Sequence, residues 1–104
     1  MRVHWTPEAR VQLVGIHNYI AQESPSVAKQ VVQRIASRCG QIVNPPRSGH
    51  KVRDFNRDDI RELISQPYRI IYRIKPNQID ILTVMHYRQL LPRDLHELGT
   101  AQKK

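Results

Sequence analysis

The chain has 104 residues, 39% hydrophobic and 25% charged, which is the composition of one globular domain rather than of a disordered segment. A formal net charge of +8 and a pI near 10.3 favour a polyanionic partner, such as a nucleic acid, a ribosome or an acidic protein segment. No apolar run approaches the roughly 20 residues that a membrane-spanning helix needs, and residues 1–5 lack the apolar core of a secretion signal. We therefore expect a cytoplasmic protein that does not contact a membrane.

The first half of the chain predicts a short strand followed by a helical hairpin. In residues 1–5, Val3 and Trp5 alternate with polar neighbours, which is typical of a strand with one buried face. Thr6-Pro7-Glu8 and Ser24-Pro25 each place a capping hydroxyl before a proline, which is a start signal for a helix. Apolar residues then recur at helical spacing, as Ala9, Leu13, Ile16 and Ile20, and as Ala28, Val31, Val32, Ile35, Cys39 and Ile42. Because Cys39 lies on this apolar stripe, we expect it to be buried rather than nucleophilic.

The second half predicts an antiparallel meander. Residues 44–49 contain two prolines and a glycine and end the second helix. Residues 60–65, 68–74 and 78–86 are rich in Val, Ile and Tyr and are joined by short turns. Leucines at 91, 95 and 98 predict a short C-terminal helix that ends at Gly99, before a loose tail over residues 99–104. The prediction is a single α+β domain over residues 1–104, with the order β-α-α-β-β-β and an antiparallel sheet packed against the hairpin.

One predicted strand carries two arginines on a single face. In residues 68–74, Tyr68, Ile70, Tyr72 and Ile74 share one face, whereas Arg69, Ile71 and Arg73 share the other. An unpaired guanidinium is costly to bury. The arginines therefore either form salt bridges with Glu62 or Asp80 on neighbouring strands, or form an anion-binding face that Arg61 joins from the preceding strand.

The end of the last predicted strand, His86-Tyr87-Arg88, holds groups suited to acid–base chemistry and phosphate stabilisation. His86 fits a structural role equally well. The sequence lacks a glycine-rich phosphate loop and a serine elbow, and its five histidines have no ligand spacing. We expect neither a metal nor a cofactor.

Several blocks resemble the ParE family of toxins, in order and in register from residue 1 to about 93. They are Trp5-Thr6-Pro7-Glu8-Ala9, Tyr19-Ile20, Ser24-Pro25 with Ala28, Pro46 with Gly49, Arg61-Glu62-Leu63, residues 67–74, and Ile81-Leu82 leading to His86 and Arg88. The resemblance implies the RelE/ParE-like fold and a toxin role in a type II toxin–antitoxin module. It also implies a ParD-like antitoxin in a hetero-oligomer with the toxin, and we expect its acidic residues to face Arg61, Arg69 and Arg73.

Two branches of this superfamily differ in target. ParE-like members poison DNA gyrase, whereas RelE-like members cleave mRNA in the ribosome with basic residues on the sheet and an aromatic residue or histidine near the C-terminus. Trp5-Thr6 and the block at residues 61–63 favour the gyrase branch, and the acid–base set is incomplete. We therefore expect a gyrase inhibitor without catalysis of its own, which contacts its target through Arg88, Arg93 and His96.

Two alternatives remain open at the level of sequence. For an mRNA endonuclease, the candidate catalytic residues are Arg61, Arg69, Arg73, His86 and Tyr87. A third possibility is a plasmid-stability or regulatory component, bound to its cognate partner, that is no longer an active poison.

Overall fold

The computed structural model describes residues 1–43, 45–53 and 55–86. Its elements in chain order are β1 (Arg2–Trp5), α1 (Pro7–Ala21), α2 (Pro25–Gln41), a 3₁₀ helix (Pro46–Ser48), β2 (His50–Lys51), β3 (Ile60–Ser65), β4 (Tyr68–Ile74) and β5 (Gln78–His86). The predicted α+β class is confirmed, with both helices and the four predicted strands in place. The predicted C-terminal helix and tail lie outside the described residues, so a single domain over 1–104 stays a prediction.

Both helices begin at the residues that the sequence indicates. The Thr6 hydroxyl accepts a hydrogen bond from the Ala9 amide at 3.2 Å, and the Ser24 hydroxyl accepts one from the Val27 amide at 3.2 Å. Thr6 is fully buried, and its hydroxyl also donates to the Ile81 carbonyl at 2.8 Å. This one side chain therefore caps α1 and binds its first turn to the interior strand β5.

The five strands form one sheet in the order β1-β5-β4-β3-β2. The predicted antiparallel meander of β3, β4 and β5 is confirmed, and the structure adds two features to it. The two-residue strand β2 pairs antiparallel with β3, and β1 pairs parallel with β5. A bulge interrupts the β4–β5 ladder, because Ile71 faces Thr83 and Tyr72 faces Ile81, which leaves Leu82 as the extra residue.

The hairpin packs against one face of the sheet. The main core contains Ala9, Ile35, Cys39, Ile42, Leu63, Ile70, Tyr72, Ile79, Ile81 and Val84. A smaller cluster of Val52, Ile60, Ile71 and Leu82, with Phe55 packed against it, lies on the other face, because Ile71 alternates with Ile70 and Tyr72 along β4. Neither helix of the described ranges is long and apolar enough to cross a membrane.

Cys39 is 1% exposed in the main core, so its predicted burial is confirmed. Burial raises the pKa of its thiol to about 12, and the nearby Arg38 charge opposes this only in part. A thiol with this pKa is protonated at neutral pH and is a poor nucleophile.

Candidate functional site

The strand register separates the three arginines that the sequence groups together. Arg69 and Arg73 lie on the face of β4 that points away from the helices, because they alternate with the core residues Ile70 and Tyr72. Arg61 pairs directly with Tyr72 across the β3–β4 ladder and therefore lies on the helix side. The expectation that Arg61 shares a face with Arg69 and Arg73 is wrong, since odd-numbered residues of β3 point toward the hairpin.

Arg69 forms a salt bridge within the sheet. Its Nη2 and Nε atoms lie 2.7 and 2.8 Å from Glu62 Oε1, and the two side chains are only 18% and 19% exposed. Of the two alternatives that the sequence leaves open for Arg69, the structure shows the salt bridge with Glu62. This guanidinium is held by an internal carboxylate on a partly desolvated surface.

Arg73 is paired with a loop residue rather than with a neighbouring strand. Its Nε atom lies 3.4 Å from Asp59 Oδ2, and the same carboxylate accepts two shorter hydrogen bonds, of 3.0 and 2.7 Å, from Arg57. Asp80, the partner considered from sequence, instead receives Lys75 Nζ at 2.7 Å and Gln78 Nε2 at 2.6 Å. Asp59 therefore holds Arg73 at the end of β4 that adjoins the loop before β3.

Arg61 joins the neighbouring loops to the sheet. It donates from Nη2 to Asp58 Oδ1 at 2.6 Å, from Nε to the Asp58 carbonyl at 2.9 Å and from Nη1 to the Gly49 carbonyl at 3.1 Å. Arg47 donates to the other carboxylate oxygen of Asp58 at 2.8 Å. Only 13% of the Arg61 side chain is exposed, and its hydrogen bonds hold the loops at Gly49 and Asp58 against β3.

The arginines also shift the acidity of the two loop aspartates. A hydrogen bond from Arg47 is the largest cause that lowers the pKa of Asp58, and the charges of Arg47 and Arg61 act in the same direction. Desolvation raises the pKa of Asp59, but the hydrogen bond and charge of Arg57 and the hydrogen bond from Arg73 together outweigh it, so this pKa is also lowered. Both carboxylates therefore stay ionised to a lower pH than an ordinary aspartate.

Tyr72 closes the same loop region from the core. Its hydroxyl donates to the Pro46 carbonyl at 2.7 Å and accepts from the Gly49 amide at 3.0 Å. Burial raises the pKa of Tyr72, partly offset by the Gly49 amide bond. A neutral phenol thus anchors the 3₁₀ helix and the start of β2.

His86 is separated from the sheet arginines. It pairs with Tyr68 across β4 and β5, and the two rings meet edge to face with centroids 6.1 Å apart. Because paired residues share a face, His86 lies on the helix side, opposite Arg69 and Arg73. Four further predicted site residues lie outside the described part of the chain: Tyr87, Arg88, Arg93 and His96.

A helical hairpin can accept an amphipathic segment of a partner in its outer groove, but the sequence singled out no residue of the hairpin surface as part of a site. Several large apolar side chains are exposed there, namely Val11 (71%), Val14 (56%), Tyr19 (75%) and Val27 (44%). The helical spacing of apolar residues predicts which stripe of each helix is buried. It does not predict that the valines outside that stripe form an exposed apolar surface. In residues 1–43, 45–53 and 55–86, His, Cys, Asp and Glu side chains form no group that can hold a metal ion.

The comparisons with known proteins agree with this architecture. A family model described as the ParE toxin of the type II toxin–antitoxin system parDE matches residues 3–91. A solved chain from the chromosomal ParDE toxin–antitoxin system of P. aeruginosa is similar, with a TM-score of 0.69 and 25% sequence identity over 83% of this chain and 95% of that chain. No curated protein matches the chain. Because the family model spans most of the sequence, the chain belongs to the ParE toxin family of type II toxin–antitoxin systems.

Proposed function

We propose that the protein inhibits DNA gyrase and is neutralised by a cognate ParD-like antitoxin with which it forms a hetero-oligomer in the cytoplasm. The observation that carries this proposal is the ParE toxin match over residues 3–91. The solved relative belongs to a ParDE system, which supports an antitoxin as the partner.

The arrangement of the sheet arginines favours a stoichiometric inhibitor over an mRNA endonuclease. Arg61, Arg69 and Arg73 each bind a carboxylate of this chain, namely Asp58, Glu62 and Asp59. An RNA phosphate would have to displace these carboxylates before any of the arginines could stabilise a transition state. Moreover, His86 lies on the opposite face from Arg69 and Arg73, so these residues do not converge on one scissile bond.

An inhibitor of this kind needs a binding surface and no catalytic constellation. The formal charge of +8 supports approach to an enzyme loaded with DNA, since a basic field raises the rate of encounter with a polyanion. Arg88, Arg93 and His96 remain the predicted target contacts.

The test is a plasmid supercoiling assay with purified gyrase, run beside a translation assay on programmed ribosomes. We expect the wild type to block supercoiling or to trap gyrase on cleaved DNA, and we expect the antitoxin to relieve this effect. A variant with Arg88, Arg93 and His96 replaced by alanine should lose inhibition, whereas the control Arg34→Ala in α2 should keep it.

Unimpaired supercoiling at several-fold molar excess of toxin would refute the gyrase assignment. Cleavage of mRNA on ribosomes, lost in His86→Ala, would assign the protein to the endonuclease branch instead.

A further inference from the structure

The second helix and the segment after it form a long stretch without acidic residues. Between Glu23 and Asp54 the chain has no aspartate or glutamate, whereas its basic residues there are Lys29, Arg34, Arg38, Arg47, Lys51 and Arg53. A run of charges of one sign in a folded domain produces a surface with a strong local field. The structure gathers the C-terminal part of this stretch at one edge of the sheet.

Three of these cations lie along the edge of the sheet that β2 forms. Lys51 lies in β2, the outermost strand on this side, and pairs with Arg61 of β3. Arg53 follows in the exposed turn after β2. Arg38 of α2 donates from Nη2 to the Ile64 carbonyl at 3.0 Å, beyond the two residues of β3 that β2 covers. Residues 61 and 64 are about 10 Å apart along a strand, so Arg38, Lys51 and Arg53 form an elongated surface, which we call the β2-edge surface.

The positive charge of the β2-edge surface is not compensated within the described residues. Lys51 and Arg53 are exposed, and neither forms an ion pair there. Arg38 donates to a neutral carbonyl, which leaves its charge available. Glu62 of β3 is already held by Arg69 on the far face of the sheet.

Asp58 borders this surface but does not neutralise it. Arg61, the ladder partner of Lys51, donates to the Asp58 carboxylate at 2.6 Å, and Arg47 donates to it at 2.8 Å. Two arginines therefore share one aspartate, and their surplus charge adds to that of the three cations of the β2-edge surface.

The surface is polar throughout, which favours a nucleic acid over a protein as the partner. In residues 37–43 and 45–53, no large apolar side chain is exposed. Ile64 is 39% exposed, but it pairs with Arg69 and lies on the far face. Protein interfaces have an apolar core, whereas interfaces with DNA are more polar and much more positively charged. A second copy of this chain would bring like charges together.

The spacing of the cations suits an extended polyanion. A single phosphate group is held by donors that converge on its oxygens, whereas these cations are spread along the edge. A length of about 10 Å spans about three phosphates of one strand of duplex DNA, at about 3.4 Å of helix axis each. Ammonium and guanidinium groups both bind phosphate oxygens, so each cation can contact a separate phosphate.

We propose that the β2-edge surface binds the sugar–phosphate backbone of double-stranded DNA, through Arg38, Lys51 and Arg53 and without reading the base sequence. The choice of DNA as the polyanion rests on the proposed function, because gyrase holds DNA. The position of the site rests on the charges alone. The surface gives the toxin a direct contact with the DNA that the enzyme holds, and it does not involve the predicted target contacts at residues 88, 93 and 96.

The test is fluorescence anisotropy with the purified toxin and a labelled duplex of about 20 base pairs and arbitrary sequence, at about 0.1 M salt. Lys51→Glu reverses the charge in β2, so we expect the affinity to fall by about tenfold or more. Melting curves will verify that each variant folds.

Arg2→Glu is the matched control, because it changes the net charge equally at the opposite edge of the sheet. Arg2 is an exposed cation of β1, which lies four strand spacings, or about 19 Å, from β2. This distance exceeds the Debye length of about 10 Å at 0.1 M salt. We therefore expect Arg2→Glu to reduce the affinity by less than about threefold.

A second measurement counts the phosphate contacts. The logarithm of the association constant falls by about 0.9 per contact for each tenfold rise in salt concentration. The combined variant Lys51→Ala with Arg53→Ala should therefore reduce this slope by about 2 relative to wild type. Arg2→Ala should leave the slope unchanged.

The outcomes separate this inference from the proposed function. Equal losses for Lys51→Glu and Arg2→Glu, or an unchanged slope in the combined variant, would show that net charge alone drives binding and would overturn the site. Tighter binding to single-stranded RNA of the same length would overturn the choice of DNA. A wild type without affinity for the duplex would also overturn the inference, while gyrase inhibition is judged by its own assay. DNA binding that Lys51→Glu abolishes, from a wild type that leaves gyrase unimpaired, would support the site and refute the proposed function.

Discussion

The sheet and the hairpin both carry basic side chains, but the two regions differ in whether those side chains form ion pairs within the chain. On the sheet and its loops, Arg47, Arg57, Arg61, Arg69, Arg73 and Lys75 are ion-paired with Asp58, Asp59, Glu62 and Asp80. In the hairpin, Arg10, Lys29, Arg34 and Arg38 form no ion pair within the described residues. The sheet and its loops keep an excess of positive charge, since these six cations share four carboxylates, but each of the six lies against a carboxylate of the chain. A cluster of arginines therefore indicates an anion-binding site only when nearby carboxylates of the same chain do not already pair with it.

The largest expected effect contrasts a glycine of the sheet region with a glycine of the hairpin. A Cβ atom on Gly49 would lie 2.5 Å from the Tyr72 hydroxyl oxygen and 2.6 Å from the Glu62 carbonyl oxygen, whereas a Cβ on Gly15 meets nothing within 4 Å. We expect Gly49→Ala to lower the free energy of unfolding by about 3 kcal/mol, since overpacking and loss of the Tyr72 hydrogen bonds combine. Gly15→Ala should instead raise it by about 0.5–1 kcal/mol, because alanine is the better helix former.

Thermal melts check this pair, with a shift of about 4–8 °C expected for each kcal/mol. Equal melting temperatures for Gly49→Ala and wild type would show that the Tyr72 contact does not hold the loop as described.

The next effect compares two tyrosine hydroxyls. Tyr72→Phe leaves the buried Gly49 amide and the Pro46 carbonyl without their partner, so we expect a loss of about 1–3 kcal/mol in urea unfolding. Tyr19→Phe, in the hairpin, removes a hydroxyl from a side chain that is 75% exposed and should change stability by less than about 0.5 kcal/mol. Similar losses in both variants would contradict the distinction between the two regions.

A smaller effect concerns acid pH. The pKa values of Asp58 and Asp59 are lowered from 3.8, so these groups contribute stability that is present above about pH 4 and is lost as pH falls through the lowered values. In Asp59→Asn, stability should therefore decline less between about pH 5 and pH 2.5 than in the wild type. Glu23→Gln in the hairpin turn is the control, and we expect it to keep the wild-type profile. Parallel profiles for Asp59→Asn and wild type would mean that the Arg57 and Arg73 pairing contributes nothing.

Local signals predicted much of the fold because each depends on few residues. The hydroxyl–proline starts at Thr6 and Ser24 predicted both helices, and alternation along residues 68–74 predicted which side chains of β4 face the core. The strand β2 was not predicted, because its two residues are too few to show the alternation of polar and apolar side chains that indicates a strand. The parallel pairing of β1 with β5 joins residues some 76 positions apart, such as Arg2 and Gln78, which no local pattern encodes.

The candidate site was less predictable, since its geometry depends on register and on loops. A shift of one residue in the pairing of β3 with β4 would move Arg61 to the other face of the sheet, where Arg69 lies. In the observed register, Arg61 pairs with Tyr72 and lies on the helix side. The partners Asp58 and Asp59 lie in the loop before β3. The spacing of residues along a loop does not predict which side chains come into contact. Glu62 was one of the two partners considered for the sheet arginines, because it lies within an adjacent strand.

The comparison of the two regions is tested most directly by one urea-unfolding experiment on Arg69→Gln and Arg10→Gln. Arg69→Gln leaves the Glu62 carboxylate, 19% exposed, without its salt bridge, so we expect the free energy of unfolding to fall by about 1–2 kcal/mol. Arg10 forms no ion pair in the described part of the chain, so its variant should stay within about 0.5 kcal/mol of wild type. Equal destabilisation by both, or none by Arg69→Gln, would contradict the account that the sheet arginines serve the fold while the hairpin cations remain available to a partner.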